Sequence, residues 1–140
     1  IERPEVRRRA DKAEEGHLRI WVGIRAGMLA IDISDDGAGL DLEAIRTRLK
    51  ASSGQPAEAI DALSEQALKE TIFQPGFSTR GAVTEVSGRG VGLDVVRNVI
   101  ERLEGTVRLS TRSGQGSTFH LLVPVSRAVT RSLAVRVGGE

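Results

Sequence analysis

Gly88, Gly90 and Gly92 stand at alternate positions and lead into Leu93, the start of a run with helical spacing of apolar residues. Backbone N–H groups left bare by glycine and the positive end of a helix dipole would converge there, an arrangement that binds phosphate. Ser87, Arg89 and Val91 fill the positions between. A glycine-rich turn before a helix serves as readily to close a loop, so other residues must support the reading. Asp35 ends a run of alternating apolar residues and is followed by Gly37 and Gly39. A carboxylate so placed can accept a hydrogen bond from an exocyclic amine, and the glycines would let a flat ring approach the backbone; the alternative is an Asp-Gly turn that merely links two elements. Thr118, which follows Gly114 and Gly116, could bond a base nitrogen or an ordered water if it faces a pocket. Phe73 and Phe77 flank Gln74-Pro75-Gly76 and read as anchors at the base of a loop.

Other chemistries find little support. His17 and His120 are lone histidines read as structural, and neither a Ser/His/Asp arrangement nor metal-ligand spacing nor a Walker-type lysine is visible. A net charge of +1 gives no long-range attraction to nucleic acid or anionic lipid. The one basic run, Arg7-Arg8-Arg9, reads as the solvated face of a short helix after Pro4. One tryptophan and three phenylalanines offer no stacking platform for bases. The chain has no cysteine, which suits a reducing cytoplasm, and no apolar run long enough to span a membrane. Its 140 residues amount to one domain, and its first residues read as those of an excised fragment.

The elements that must position these residues follow from periodicity. Residues 18–24 and 29–33 alternate apolar and other side chains around Arg25-Ala26-Gly27 and predict a β-hairpin with one face buried. Asp41 predicts the cap of a helix carrying Leu42, Ile45 and Leu49 on one side. Residues 51–63 read as loop, and Ser64 predicts the cap of a helix over Glu65 to Phe73 with Leu68 and Ile72 on one face. Gln74 to Ser87 reads as a long loop of the lid type. Val95, Val96, Val99, Ile100 and Leu103 predict a helix ended by Gly105, and a second hairpin pairs 107–111 with 119–123. Helices gathered against one sheet make an α+β fold: a two-layer sandwich with a mixed, mostly antiparallel sheet and helices on one face.

The ordered set Asp35-Asp36-Gly37-Ala38-Gly39, Phe73-Gln74-Pro75-Gly76-Phe77-Ser78-Thr79, Val86 to Val96 and Gly114-Gln115-Gly116-Ser117-Thr118-Phe119 resembles the ATP-binding catalytic domain of CheA-type chemotaxis histidine kinases. These belong to the wider group that holds Hsp90, gyrase B and MutL. The resemblance implies a histidine kinase domain over residues 1–126, lacking its first helix, and over 127–140 a linker and the first strand of a CheW-like regulatory domain. It implies that Asp35 holds the adenine amino group with Gly37, Gly39 and Thr118 nearby. It implies that Ser87, Gly88, Arg89, Gly90, Val91, Gly92 and Leu93 bind nucleotide, Gly88, Gly90 and Gly92 approaching the triphosphate, with Gln74 to Ser87 as lid.

The implied cofactors are ATP and Mg2+, with the metal ligand and the catalytic residues on a helix upstream of Ile1 and no metal ligand in this chain. The implied reaction moves the γ-phosphoryl group to a histidine on a separate phosphotransfer domain, in the same protein or a dimer mate. A response regulator, a CheW-like coupling protein and chemoreceptors are the further implied partners, with no nucleic acid and no direct membrane insertion. Relatives often carry a lysine where Ala44 stands, a departure that favours the alternative of a non-catalytic nucleotide-sensing or docking module on the same fold.

Overall fold

Two hairpins build the sheet. In a computed structural model, which describes residues 1–77 and 92–125, β1 (Leu18–Arg25) and β2 (Met28–Asp35) pair antiparallel around the two-residue turn Ala26-Gly27. Strands β3 (Thr106–Thr111) and β4 (Ser117–Pro124) form the second hairpin, and β4 adds antiparallel to β2. The order is β1-β2-β4-β3, and among the described residues every pairing is antiparallel, with no parallel strand to make the sheet mixed.

Cross-strand partners share a face. The register sets Ile20, Ile33, Phe119 and Leu109 in one row, and Val22, Ile31, Leu121 and Val107 in the next. That face meets the helices. Alternate residues, among them Ser34, Asp32, Thr118, His120, Ser110 and Arg108, occupy the opposite face.

Helix α2 (Leu42–Ser52) starts where Asp41 Oδ1 accepts from the Ala44 N–H, and α4 (Glu65–Thr71) where Ser64 Oγ accepts from the Ala67 N–H, as the sequence predicts. Ile45, Leu49, Leu68, Ile72 and Phe73 close over Val107, Leu109 and Leu121, together with Ile100 of α5 (Leu93–Arg102). The α+β sandwich is therefore observed, and no described helix is long and apolar enough to cross a membrane.

Four further expectations change. The segment 51–63 is not all loop: α3 (Ala57–Asp61) buries Ile60 completely. Arg46 of α2 secures its C-terminal end by donating to the carbonyls of Ile60, Asp61 and Leu63. The apolar row of β1 is not buried: Leu18, Ile20, Val22 and Ile24 are between 58% and 63% exposed, because no described helix lies over that strand. Helix α5 buries only part of its stripe. Val96 and Ile100 turn inward, while Val95, Val99 and Leu103, one position round the helix, stay 40–49% exposed.

The fourth change is Arg7. Helix α1 (Pro4–Arg9) forms after Pro4, yet Arg7 is 1% exposed rather than solvated. Its guanidinium donates to Asp36 Oδ1 at 3.1 Å and Oδ2 at 2.9 Å, and also to the carbonyls of Ala13, Glu15 and Asp36. A planar fork with five donors suits this arrangement, since it can satisfy a carboxylate and a wrapped backbone together.

Arg7→Met keeps the bulk but donates nothing and is expected to cost about 2–3 kcal/mol, read from the urea midpoint. Hydrogen bonds from Arg7, then from the His17 N–H, hold the Asp36 carboxyl below the usual aspartate range. A depressed folded value stabilises the native state above the unfolded value and is lost as pH falls through the folded one, below about 4. The acid limb of the stability curve should therefore be shallower in the variant than in the parent.

Candidate nucleotide site

The chain leaves β2 at Asp35 and must turn at once into α2. Arg7 grips Asp36 from one side. Lys12 adds Nζ bonds to the carbonyls of Asp36 at 2.9 Å and Gly37 at 2.7 Å, and pairs with Glu2 at 3.3 Å. The other side of the loop is zipped to the β3–β4 turn. There the Gly114 N–H donates to the Ala38 carbonyl at 2.8 Å and the Leu40 N–H to Thr111 Oγ1 at 2.9 Å.

Two glycines permit this approach. Gly39 has φ +72°, and a side chain on it would run into the Arg112 carbonyl. Gly116 has φ +87°, and a Cβ there would overlap the backbone of Asp35. The sequence reads Gly39 as making room for a ring; what the structure shows is room made for the neighbouring turn.

What the loop encloses is a cavity of about 200 Å3 lined by Ile1, Glu2, Asp35, Ala38, Gly39 and Ser117. Asp35 Oδ1 accepts from the Gly37 N–H at 2.8 Å, which fixes the carboxylate plane. Among the described residues Oδ2 receives no hydrogen bond, and Asp35 is one of the residues that line the cavity. Gly37 is buried beneath it, where a side chain would meet Asp35 Oδ1 at 2.7 Å. Glu2 is a carboxylate that the sequence does not single out. A hydrogen bond from its own backbone N–H, followed by Lys12 and Arg7, holds it below the usual glutamate range.

Thr118 is not in this cavity. It pairs with Ser34 across β2 and β4, and the two hydroxyls bond at 2.9 Å on the face away from the helices. Its neighbour Ser117, in register with Asp35 and on the same face, lines the cavity instead, with Oγ 3.0 Å from Thr111 Oγ1. The signal was in the period: Phe119, Leu121 and Val123 point to the core, so 117 and not 118 shares their side.

Phe73, which the sequence reads as a loop anchor, packs into the core. It is buried, meets Phe119 edge-on at 6.3 Å, and lies 4.1 Å beneath the Arg97 guanidinium, which also pairs with Glu70. That contact ties the end of α4 to α5. Phe77 is half-buried against the same core. Gly92, in extended conformation, caps α5, and Leu93 opens the helix half-buried. Neither lines the 200 Å3 cavity. Ser87, Gly88, Arg89, Gly90 and Val91, with the stretch 78–87 of the expected lid, lie outside the described residues. Among the described residues no three His, Asp or Glu side chains are grouped to hold a metal ion.

His17 contributes its backbone N–H to Asp36 Oδ1. His120 is less isolated than the sequence suggests: it bonds Asp32 and Ser110, so a Ser/His/Asp arrangement does exist. Positions 32, 110 and 120 are brought together only by strand register, which spacing along the chain cannot reveal.

The family model for histidine kinase-, DNA gyrase B- and HSP90-like ATPases matches residues 6–127. The chain belongs to that ATPase family. A gliding motility regulatory protein of Myxococcus xanthus is 45% identical over 142 residues, covering 100% of this chain and 18% of that protein. A chemotaxis protein CheA of Treponema pallidum is 42% identical over 140 residues, covering 100% of this chain and 17% of that protein. The chain thus spans under a fifth of either relative. The solved catalytic domain of histidine kinase ThkA, in a nucleotide-free form, shares the fold at a TM-score of 0.50 and 22% identity, over 79% of this chain and 54% of that one. The CheA resemblance read from the motifs holds along the whole sequence, and the chain carries an ATP-binding domain of the histidine-kinase type.

Gly116→Ala is expected to lose at least about 2 kcal/mol of stability, combining positive-φ strain with backbone overlap. Gly114→Ala has a similar φ of +76° but open space around it, and should lose about 1 kcal/mol. Melting temperatures of the pair check this; equal losses would show that φ alone matters.

Proposed function

We propose that this ATPase-family chain is the nucleotide-binding part of a chemotaxis-type histidine kinase, and that the cavity beside Asp35 receives the adenine of ATP. The observation that carries this reading is the pairing of an oriented carboxylate with a hydroxyl on the same floor. Asp35 is fixed through Oδ1 and offers Oδ2, while Ser117 stands in register beside it. An adenine amino group donates to the former, and a ring nitrogen or bridging water meets the latter. The phosphates then extend past the cavity toward the N-terminus of α5, whose first N–H groups have no side-chain cap.

Transfer of a γ-phosphoryl group depends mainly on positioning and charge neutralisation, which a rigid adenine anchor supports at one end of the nucleotide. Mg2+, when bound, supplies charge neutralisation at the phosphates. The resemblance to the CheA type implies that its protein ligand and the groups assisting transfer lie upstream of Ile1. The acceptor is a histidine on a separate phosphotransfer domain, in the same protein or a dimer mate. A response regulator, a CheW-like coupling protein and chemoreceptors complete the assembly, in the cytoplasm. Residues 1–126 form the kinase domain, and 127–140 lead into a CheW-like domain.

Ala44, where a lysine is common, is exposed on α2 and does not line the cavity, so its lack of charge leaves the adenine end intact. In calorimetric titration with Mg-ATP, Asp35→Asn should weaken binding about tenfold or more, because a donor then faces a donor. Ser117→Ala should weaken it about threefold to tenfold, by the loss of one neutral hydrogen bond. Thr118→Val, on the other face, should leave it unchanged, and an equal loss at 117 and 118 would overturn the site. In the intact parent, ATP consumption with no acid-labile phosphohistidine would leave a docking or sensing module as the surviving reading.

The exposed rows of β1 and α5 support a further part of this proposal, namely that an upstream helix completes the domain by covering them. Apolar patches of this kind lower solubility and stability when bare. A version extended upstream by about fifteen residues, roughly four helical turns, should melt higher and bind ATP more tightly. Equal values for both versions would refute it.

A further inference from the structure

The face of the sheet away from the helices carries three polar side chains that the nucleotide site does not use. Asp32 on β2, His120 on β4 and Ser110 on β3 lie on adjacent strands. Asp32 Oδ1 is 2.8 Å from His120 Nδ1, and His120 Nε2 is 3.0 Å from Ser110 Oγ. With Nδ1–H donating to the carboxylate, Nε2 is left as an acceptor aimed at the hydroxyl. A serine in contact with a histidine base, itself oriented by a carboxylate, is the arrangement of an activated nucleophile, recognised by geometry and not by sequence position.

Access follows the same order. The Asp32 side chain is 21% exposed and that of His120 35%, while Ser110 is open to solvent. Arg108 stands directly across from His120 and two residues from Ser110 on the same face. Arg25 reaches Asp32 at 3.5 Å. Arg19, opposite Ser34, is a further cation on this face, and Glu70, Arg97 and Glu101 line the same groove; Arg108 is the cation nearest Ser110 in register. A groove of about 940 Å3 runs along β3 with Arg108, Ser110 and His120 in its wall.

We propose that Ser110 is a nucleophile activated by His120, able to take an acyl group from an activated ester. Ser110 Oγ bonds to the carbonyl carbon while Nε2 takes the hydroxyl proton. The tetrahedral adduct then collapses, the bond to the leaving oxygen breaks, and that oxygen departs with the electron pair and accepts the proton from His120. Asp32 remains ionised and stabilises the imidazolium between the two transfers. The products are acyl-Ser110 and the free alcohol or phenol, with no oxidant or further reactant needed.

The test treats the whole chain with p-nitrophenyl acetate and reads acetylation at each serine by peptide mass spectrometry. Ser53 and Ser113, exposed and away from any histidine bond, are references within the same digest. Ser110 should be acetylated at least about a hundredfold faster than either, the low end of a general-base effect. His120→Gln, which keeps a polar group but not the base, should bring Ser110 down to the rate of the references with a melting temperature near the parent's. Asp32→Asn, which disturbs the tautomer, should lower it in the same direction and serves if the first variant does not fold. A parent Ser110 no faster than Ser53, or a rate that both folded variants leave unchanged, would overturn the proposal and leave the three side chains as a clip between strands.

Discussion

The grip of Arg7 on Asp36 is the contact from which the geometry of the candidate nucleotide site descends. Desolvating a guanidinium is costly, and the cost is met here by five hydrogen bonds, two of them to one carboxylate. Three of these go to main-chain carbonyls at 13, 15 and 36, so the side chain binds the α1–β1 connection to the end of β2. Asp35 is the next residue along. Its Oδ1 bond to Gly37 requires the backbone at 36 and 37 to stay in place, and Arg7 and Lys12 between them hold that backbone. A basic triplet that looks like surface is therefore split by function: Arg7 is an internal rivet, while Arg8 and Arg9 remain outside.

Register does for the far wall what Arg7 does for the near one. Because β2 and β4 pair with Asp35 opposite Ser117, the first residue of β4 is fixed on the cavity side and the second on the open side. A slip of one residue would exchange Ser117 and Thr118 and turn Phe119 out of its contact with Phe73. Gly116 guards against that slip, since only a residue without Cβ can pass the Asp35 backbone at this distance. The core and the cavity thus share one constraint: the aromatic packing that holds the helices down also decides which hydroxyl lines the cavity.

Much of this was legible from local signals. Both hairpins, the caps at Asp41 and Ser64, and the placing of Asp35 and Gly39 at the end of a strand follow from period and turn chemistry acting over a few residues. What escaped depends on contacts distant in sequence. Nothing near Arg7 announces Asp36, 29 positions on. The Ser110–His120–Asp32 chain spans three strands. Helix α3 is too short to show a period, and its burial rests on Arg46 from another helix. The exposure of β1 is a different kind of miss: alternation correctly reports a face made for burial, but not whether a neighbour is present to bury it. The side of the sheet that Thr118 takes is legible too, because the strand alternation that places Phe119 inward puts 118 on the opposite face.

The sheet divides the molecule's chemistry into two sides that need not interfere. On the helix side, the apolar rows of β2, β4 and β3 are capped by α2, α4 and α5, and polar groups are admitted only at the end of the rows, where Asp35, Ser117 and Thr111 come together. On the other side no described helix competes for the surface, so polar side chains satisfy one another across strands: Ser34 with Thr118, and Asp32 with His120 and Ser110. Hydrogen bonds from His120 hold the Asp32 carboxyl below the usual aspartate range, with Arg25 adding to the effect. A depressed value means a group that stays ionised through neutral pH, available both to orient the imidazole and to neutralise part of the arginine charge on that face. The same strand can therefore serve both sides at once: β4 gives Ser117 to the cavity and His120 to the open face, three residues apart and on opposite surfaces.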